Sequence, residues 1–129
     1  MQLSKSLVLG ADGRGELERC GSAGSLTCGD LVLSNNTESV VTFVADENGV
    51  GAVNVTGKLS IADGARLVVN VSGTSKKRLL LFDCGEIEGA FDPANVTFVG
   101  APADCEKSIQ IVNGKVFYRA RKGLALYVR

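Results

Sequence analysis

The sequence predicts an all-β fold, a short parallel β-helix closed by an antiparallel cap, and three observations carry that prediction. A phrase recurs: Leu26-Thr27-Cys28-Gly29-Asp30-Leu31-Val32-Leu33 returns roughly 28 residues later as Val53-Asn54-Val55-Thr56-Gly57-Lys58-Leu59-Ser60-Ile61. Each copy is followed by a polar loop and a further apolar strand, Val40 to Val44 and then Leu67 to Val71. A fixed period of this length marks a solenoid, where one supersecondary unit stacks on the next. The composition agrees: 45 % of the 129 residues are hydrophobic, with 16 glycines and only 2 prolines, so short β-rich runs are separated by glycine turns. Finally, Asn113-Gly114 between alternating runs signals a type I′ hairpin.

In chain order, Leu3 to Leu9 reads as a first strand ended by Gly10-Ala11-Asp12-Gly13, and Glu16 to Cys20 as a weaker one. Within the two repeats, strand, glycine corner, strand, loop and strand make three short strands per rung. Alternation points Leu26, Cys28, Leu31 and Leu33 inward in one rung. Val53, Val55, Leu59 and Ile61, with Leu67, Val69 and Val71, point inward in the next. No segment has a helical period; Ala45 to Gly51 comes nearest but is short and holds two glycines. Residues 1–73 thus form the rungs of a single domain, and 74–129 the end-capping strands. Arg78 to Cys84 is a near-continuous apolar run, the pattern of a strand buried on both faces. The Asn113-Gly114 hairpin sets Ile111 opposite Val116 and Ile109 opposite Tyr118. A turn at Ala120 to Gly123 then leads to Leu124–Val128, the third strand of a meander. The alternative architecture is a β-sandwich, antiparallel throughout; the direction of pairing between Leu31–Leu33 and Leu59–Ile61 separates the two.

The chemistry excluded is as informative. There is no histidine, so neither a Ser/His/Asp nor a Cys/His relay can form. Fourteen basic residues balance fourteen acidic ones, leaving no overall field to gather nucleic acid or an anionic membrane. Charge is unevenly placed: six acidic residues and no basic ones lie from Asp83 to Glu106, and six basic residues with no acidic ones from Lys107 onward. Such charges suit solvated strand edges. No run of about 18 apolar residues could span a membrane. The first residues lack the regions of a signal peptide, and strand-like sequence starts directly after Met1, as in a piece of a longer protein. Aromatic residues are 5 % with no tryptophan, a poor supply for a stacking platform.

Cys20, Cys28, Cys84 and Cys105 form an even set that could make two bridges, Cys20–Cys28 and Cys84–Cys105 being the local choice. Buried thiols acting as small hydrophobes are an equal reading for Cys28, which fills the slot of Val55 in the next repeat. Their spacing does not suit a metal knuckle. Glu86 and Glu88 share one strand face, which reads as the solvent side of Ile87 rather than a glycosidase pair. Asp83, Asp92 and Asp104 with Arg78 lack the spacing of a lyase cluster. Asp46-Glu47-Asn48-Gly49 resembles the start of a calcium loop but lacks its later ligands and reads as a turn. Gly10 to Gly15 has no phosphate-binding lysine. No cofactor is expected. Asn35, Asn54, Asn70 and Asn95 head glycosylation triplets, which Val/Thr/Asn-rich strands also generate by chance.

The stretch Leu79-Leu80-Leu81-Phe82-Asp83-Cys84-Gly85-Glu86-Ile87-Glu88-Gly89-Ala90-Phe91, with Gly57–Val69 before it, resembles the C-terminal end of autotransporter-type β-helix passengers and related large bacterial surface proteins. The resemblance covers roughly Ser25 to Arg129. It implies a right-handed parallel β-helix, secreted or on the cell surface, without catalytic residues. The expectation is therefore a non-catalytic structural or adhesive module capping a β-solenoid of an exported protein. Its partners would be the upstream solenoid of the parent protein and a host or cell-surface glycan. The alternative is a carbohydrate-binding or polysaccharide-lyase-associated domain, which an exposed cluster of Phe117, Tyr118 and Tyr127 would favour.

Overall fold

The computed structural model describes residues 7–9, 16–23, 26–33, 40–101 and 105–122, with backbone alone for 7–9 and 122. It is all-β. The strands are β1 (Leu7–Leu9), β2 (Glu16–Cys20), β3 (Leu26–Cys28), β4 (Leu31–Leu33), β5 (Val40–Val44), β6 (Val53–Ile61), β7 (Arg66–Asn70), β8 (Arg78–Glu88), β9 (Val96–Val99), β10 (Cys105–Val112) and β11 (Lys115–Lys122). A 3-10 turn at Pro93–Asn95 is the one helical element among the described residues, and no described helix is long and apolar enough to cross a membrane.

The strands form two sheets. One has the order β1-β4-β6-β8-β11-β10, with β3 also on β6; the other has the order β2-β5-β7-β9. From β1 to β9 the chain passes back and forth between them, with β3 and β4 together in the longer sheet, and every pairing between strands in that stretch is parallel. Leu31 pairs with Leu59 and Leu59 with Ile87, each 28 residues on. In the other sheet Leu17, Val41, Leu67 and Val96 stand in one ladder. Like therefore stacks on like: Leu31, Leu59, Val41 and Leu67 are all buried to within 1 %. The side-chain period of two sends their neighbours outward, and slipping one residue would expose the whole set. Phe43 and Phe82, from opposite sheets, meet edge to face at 5.3 Å, and Phe82 stacks on Phe91 at 6.1 Å.

The pairing of Leu31–Leu33 with Leu59–Ile61 is parallel and in register, not the antiparallel arrangement of a sandwich. Three sequence expectations need correction. The three-strand unit holds for β3, β4 and β5, but in the next repeat a single β6 pairs with both β3 and β4, and the glycine corner becomes a register shift between Val55 and Lys58. The parallel section does not end at residue 73: β8 and β9 continue it to Val99, because Leu59–Ser60 and Leu67–Asn70 find partners in Ile87–Glu88 and Val96–Val99. Nor is β8 covered on both faces. A bulge at Leu81 puts Leu79, Leu81 and Phe82 all inward, while Leu80 is half-buried opposite Phe117.

The bends depend on close backbone approach. Gly29, Gly57 and Gly85 follow one another at 28 residues, and the Gly57 N–H donates to the Gly29 carbonyl at 2.6 Å. A Cβ on Gly57 would strike the Asp30 carboxylate and lie 2.9 Å from the Gly29 oxygen; one on Gly85 would lie 2.8 Å from the Thr56 oxygen. Asp30 Oδ1 accepts the Lys58 N–H at 2.8 Å, holding the same corner.

The hairpin forms as expected, with Ile111 opposite Val116 and Ile109 opposite Tyr118, and Asn113 and Gly114 at φ 50° and 80°. Ala120 to Lys122, expected in a turn, extend β11. The edge of β11 that Leu124–Val128 would occupy in a meander is held by β8, with Val116 opposite Phe82 and Tyr118 opposite Leu79. Leu124–Val128 itself lies outside the described residues, as do Leu3–Ser6 of the first expected strand.

The alternation has a direct test. Leu59→Ala should lower the urea-unfolding free energy by about 3 kcal/mol through the cavity it leaves. Ser60→Ala, one residue along on the outer side, should change it by less than about 0.5 kcal/mol.

Candidate functional site

Among the described residues, the groups expected to carry chemistry stand in separate local settings, and no three potential metal ligands come together. Cys28, Val55 and Cys84 occupy one ladder across β3, β6 and β8. Cys28 is buried, Cys84 half-buried and Cys105 buried, while Cys20 is exposed on the other sheet. The structure forms no disulfide among the four. The hairpin register explains why. Cys84 donates its N–H to Gly114 at the turn, whereas Cys105 stands at the far end of β10, opposite Lys122. Seven residues of strand separate Cys105 from Val112, about 23 Å, against an upper limit of about 7 Å between bridged Cα atoms. Burial, with Asp83 adding to it, pushes the Cys84 thiol up to about 12, and burial likewise raises Cys28.

The carboxylates serve local structure. Glu86 and Glu88 are exposed on the outer side of β8, and Glu88 pairs with Lys58 at 3.2 Å. Asp83 pairs with Lys115 across β8 and β11 at 3.1 Å, and Asp92 caps the 3-10 turn by accepting the Ala94 N–H at 2.9 Å. The Arg78 guanidinium lies over the Phe117 ring at 4.1 Å. Asp104 lies outside the described residues, and no group of three potential metal ligands occurs among those described.

Asp46–Gly49 is a tight turn: Asp46 and Gly49 exchange backbone hydrogen bonds at 2.8 and 2.9 Å. The Asp46 carboxylate is fully engaged, accepting from the Ser22 N–H at 3.0 Å, the Ser22 hydroxyl at 3.1 Å and the Asn48 N–H at 2.9 Å. Those bonds, the Ser22 N–H foremost, hold Asp46 below its ordinary value of 3.8.

Of the glycosylation triplets, Asn35 lies outside the described residues and Asn54 is half-buried on β6. Asn70 Oδ1 accepts from both the N–H and the hydroxyl of Ser72, and Asn95 Nδ2 donates to the Asp63 carbonyl at 2.9 Å. The aromatic platform is not formed among the described residues. Tyr118 is 1 % exposed and packs on Phe98, Phe117 is half-buried beneath Arg78, and Tyr127 lies outside the description.

One feature escaped the sequence reading. The four-stranded sheet ends at β9, but the other continues through β11 and β10. Between the overhang and β9 lies a pocket of about 170 Å³ lined by Phe91, Pro93, Val96, Phe98 and Ile109, with Lys107 at its wall. A shallow groove crosses Asn54–Thr56 and Asp83–Gly85 on β6 and β8. Comparison with family models, with curated proteins and with solved structures finds no match.

Two predictions follow from these environments. The hydrogen bonds to Asp46 favour its ionised form, so their stabilisation is complete above 3.8 and is lost as pH falls through the lower folded value. The stability difference between the wild type and Asp46→Ala, measured in urea, should be constant from neutral pH to about pH 4 and narrow below it. At pH 8 a thiol reagent should modify exposed Cys20 first, with Cys28 and Cys84 reacting only on the timescale of unfolding, as peptide mapping would detect.

Proposed function

We propose that the chain is a non-catalytic structural module, the C-terminal end of a right-handed β-solenoid in an exported surface protein. Its two parallel sheets are the faces of successive rungs. The β10–β11 hairpin closes one edge. The observation that carries the reading is the in-register ladder Leu31–Leu59–Ile87, matched by Val41–Leu67–Val96 in the other sheet. A chain that alternates between two sheets while every strand pairs parallel with its counterpart one repeat earlier has the connectivity of a coil. Parallel crossovers are overwhelmingly right-handed. The work is mechanical: stacked rungs present a stiff outer surface, and the hairpin covers the open edge of β8. Its partners in this reading are preceding rungs of the same chain and a glycan of a host or cell surface. A carbohydrate-binding or lyase-associated role has less behind it, since the ring it would most need, Tyr118, is buried.

Native-state hydrogen exchange on Gly114→Val tests the capping role. Gly114 sits at φ 80°, and a Cβ there would lie 2.5 Å from the Cys84 oxygen, so valine unhooks the hairpin from β8. A cap that supports the stack predicts lost protection spreading from β11 into β8 and β6. Loss confined to β10 and β11 would remove the capping role. Glycan-dependent changes in Phe117 or Tyr118 signals would favour the carbohydrate reading.

A further inference from the structure

Three strands of the longer sheet, β8, β11 and β10, turn an outer face to solvent. Val116, Tyr118 and Ala120 are buried on β11, so Phe117, Arg119 and Arg121 point outward between them. Register sets Arg119 between Arg78 of β8 and Ser108 of β10. One row along, Phe117 lies between Leu80 and Gln110. The Ala120 N–H donates to the Lys77 carbonyl at 2.7 Å, which brings exposed Lys77 to the same end of β11. Arg78, Arg119 and Arg121 are all exposed, and none has an ion pair among the described residues. Of the carboxylates on these strands, Asp83 is taken by Lys115 and Glu88 by Lys58, and Glu86 is in register with Lys58. Glu106 faces Arg121 in register without an ion pair.

Opposed side chains on an antiparallel pair stand about 5 Å apart at Cβ, and like charges there are destabilising. Arg78 opposite Arg119 therefore costs the free protein stability. Arg78 is also held in place, its guanidinium lying over the Phe117 ring at 4.1 Å. Two guanidinium forks side by side suit a ligand that brings negative charge, because each takes carboxylate or sulfate oxygens in pairs. The face suits a saccharide better than a nucleic acid. Arg78 covers Phe117, so that ring offers a base no bare platform. The chain as a whole has no net charge to gather a long phosphate backbone. Ser108 and Gln110, beside the arginines and the ring, offer a hydroxyl and an amide to sugar hydroxyls. Being an outer face rather than an edge, it is not used up when further rungs stack before β2.

We propose that the outer face around Arg78 and Arg119 binds an acidic polysaccharide. The paired guanidinium groups take its carboxylate or sulfate groups, and Arg121 and Lys77 continue the positive row. The inference gives the glycan partner of the structural module a charge. It rests on that reading for the ligand being a glycan, and on register and exposure for its being acidic.

Isothermal titration at low salt with polygalacturonate, dextran sulfate and neutral dextran tests it on the wild type, Arg119→Gln and the double variant Arg78→Gln/Arg119→Gln. Arg66→Gln removes the same charge from the exposed side of β7, on the other sheet, and controls for general attraction. Duplex DNA is the competing polymer, and circular dichroism checks folding. The wild type should bind at least one acidic polymer and not neutral dextran, with Arg66→Gln unchanged. The double variant should bind at least about fivefold more weakly. Because Arg119 opposes a like charge, Arg119→Gln should resist urea at least as well as the wild type while binding more weakly; a residue kept for structure would lose both. Undiminished binding by the double variant, an equal loss in Arg66→Gln, equal binding of neutral dextran, or no acidic polymer bound would each overturn the proposal. Duplex DNA bound in preference would overturn the glycan assignment and leave the stacked rungs, which hydrogen exchange tests, as they stand.

Discussion

The structure depends on one constraint: each inward side chain stands on the equivalent side chain of the strand one repeat earlier. Leu59 lies between Leu31 and Ile87, and Leu67 between Val41 and Val96. Each strand's apolar face is thus completed by its neighbours above and below and by the opposite sheet. A single repeat on its own has too little apolar surface to offset the entropy of ordering its chain. Stability is accordingly shared along the stack. The bend at Gly29, Gly57 and Gly85 follows from the same constraint, since strands can remain in register through it only if the corner backbones touch. Phe43, Phe82 and Phe91 then bind the two sheets into one core.

The same constraint makes the ends the vulnerable places. Interior strands have a partner on each side, while terminal strands offer backbone groups and half-covered slots. The two ends of the longer sheet differ. Beyond β8 the direction of pairing reverses, and among the described residues β11 and β10 extend that sheet without a matching strand opposite. The overhang leaves the pocket beside Phe98 and Ile109. Apolar side chains line that space, with Lys107 at its wall.

Much of the architecture was legible because a strand's period of two is a strong signal when glycine corners punctuate it. The repeat placed Leu31 on Leu59 and Val55 beside Cys28, and Asn113-Gly114 set the hairpin register to the residue. What escaped had a local appearance that misled. Leu79 to Phe82 looked like a doubly buried strand, yet a bulge turns successive side chains inward, and bulges leave little trace in composition. The reach of the parallel section was hidden because Val96–Val99 carries no repeat phrase. The cysteine spacing suggested bridges, but strand register, which spacing does not encode, puts Cys84 on β8 beside the hairpin turn and Cys105 at the hairpin's open end. Arg119 was legible only as one of a basic run; its place opposite Arg78 needs the register to be seen.

The central claim is parallel, in-register stacking at the repeat period, and through-space proton contacts in an isotope-labelled sample test it most directly. The account predicts backbone cross-peaks joining Leu31–Leu33 to Leu59–Ile61, and Leu59–Ser60 to Ile87–Glu88, running in the same chain direction. Cross-peaks running in opposite directions between these segments, or none between them, would contradict it.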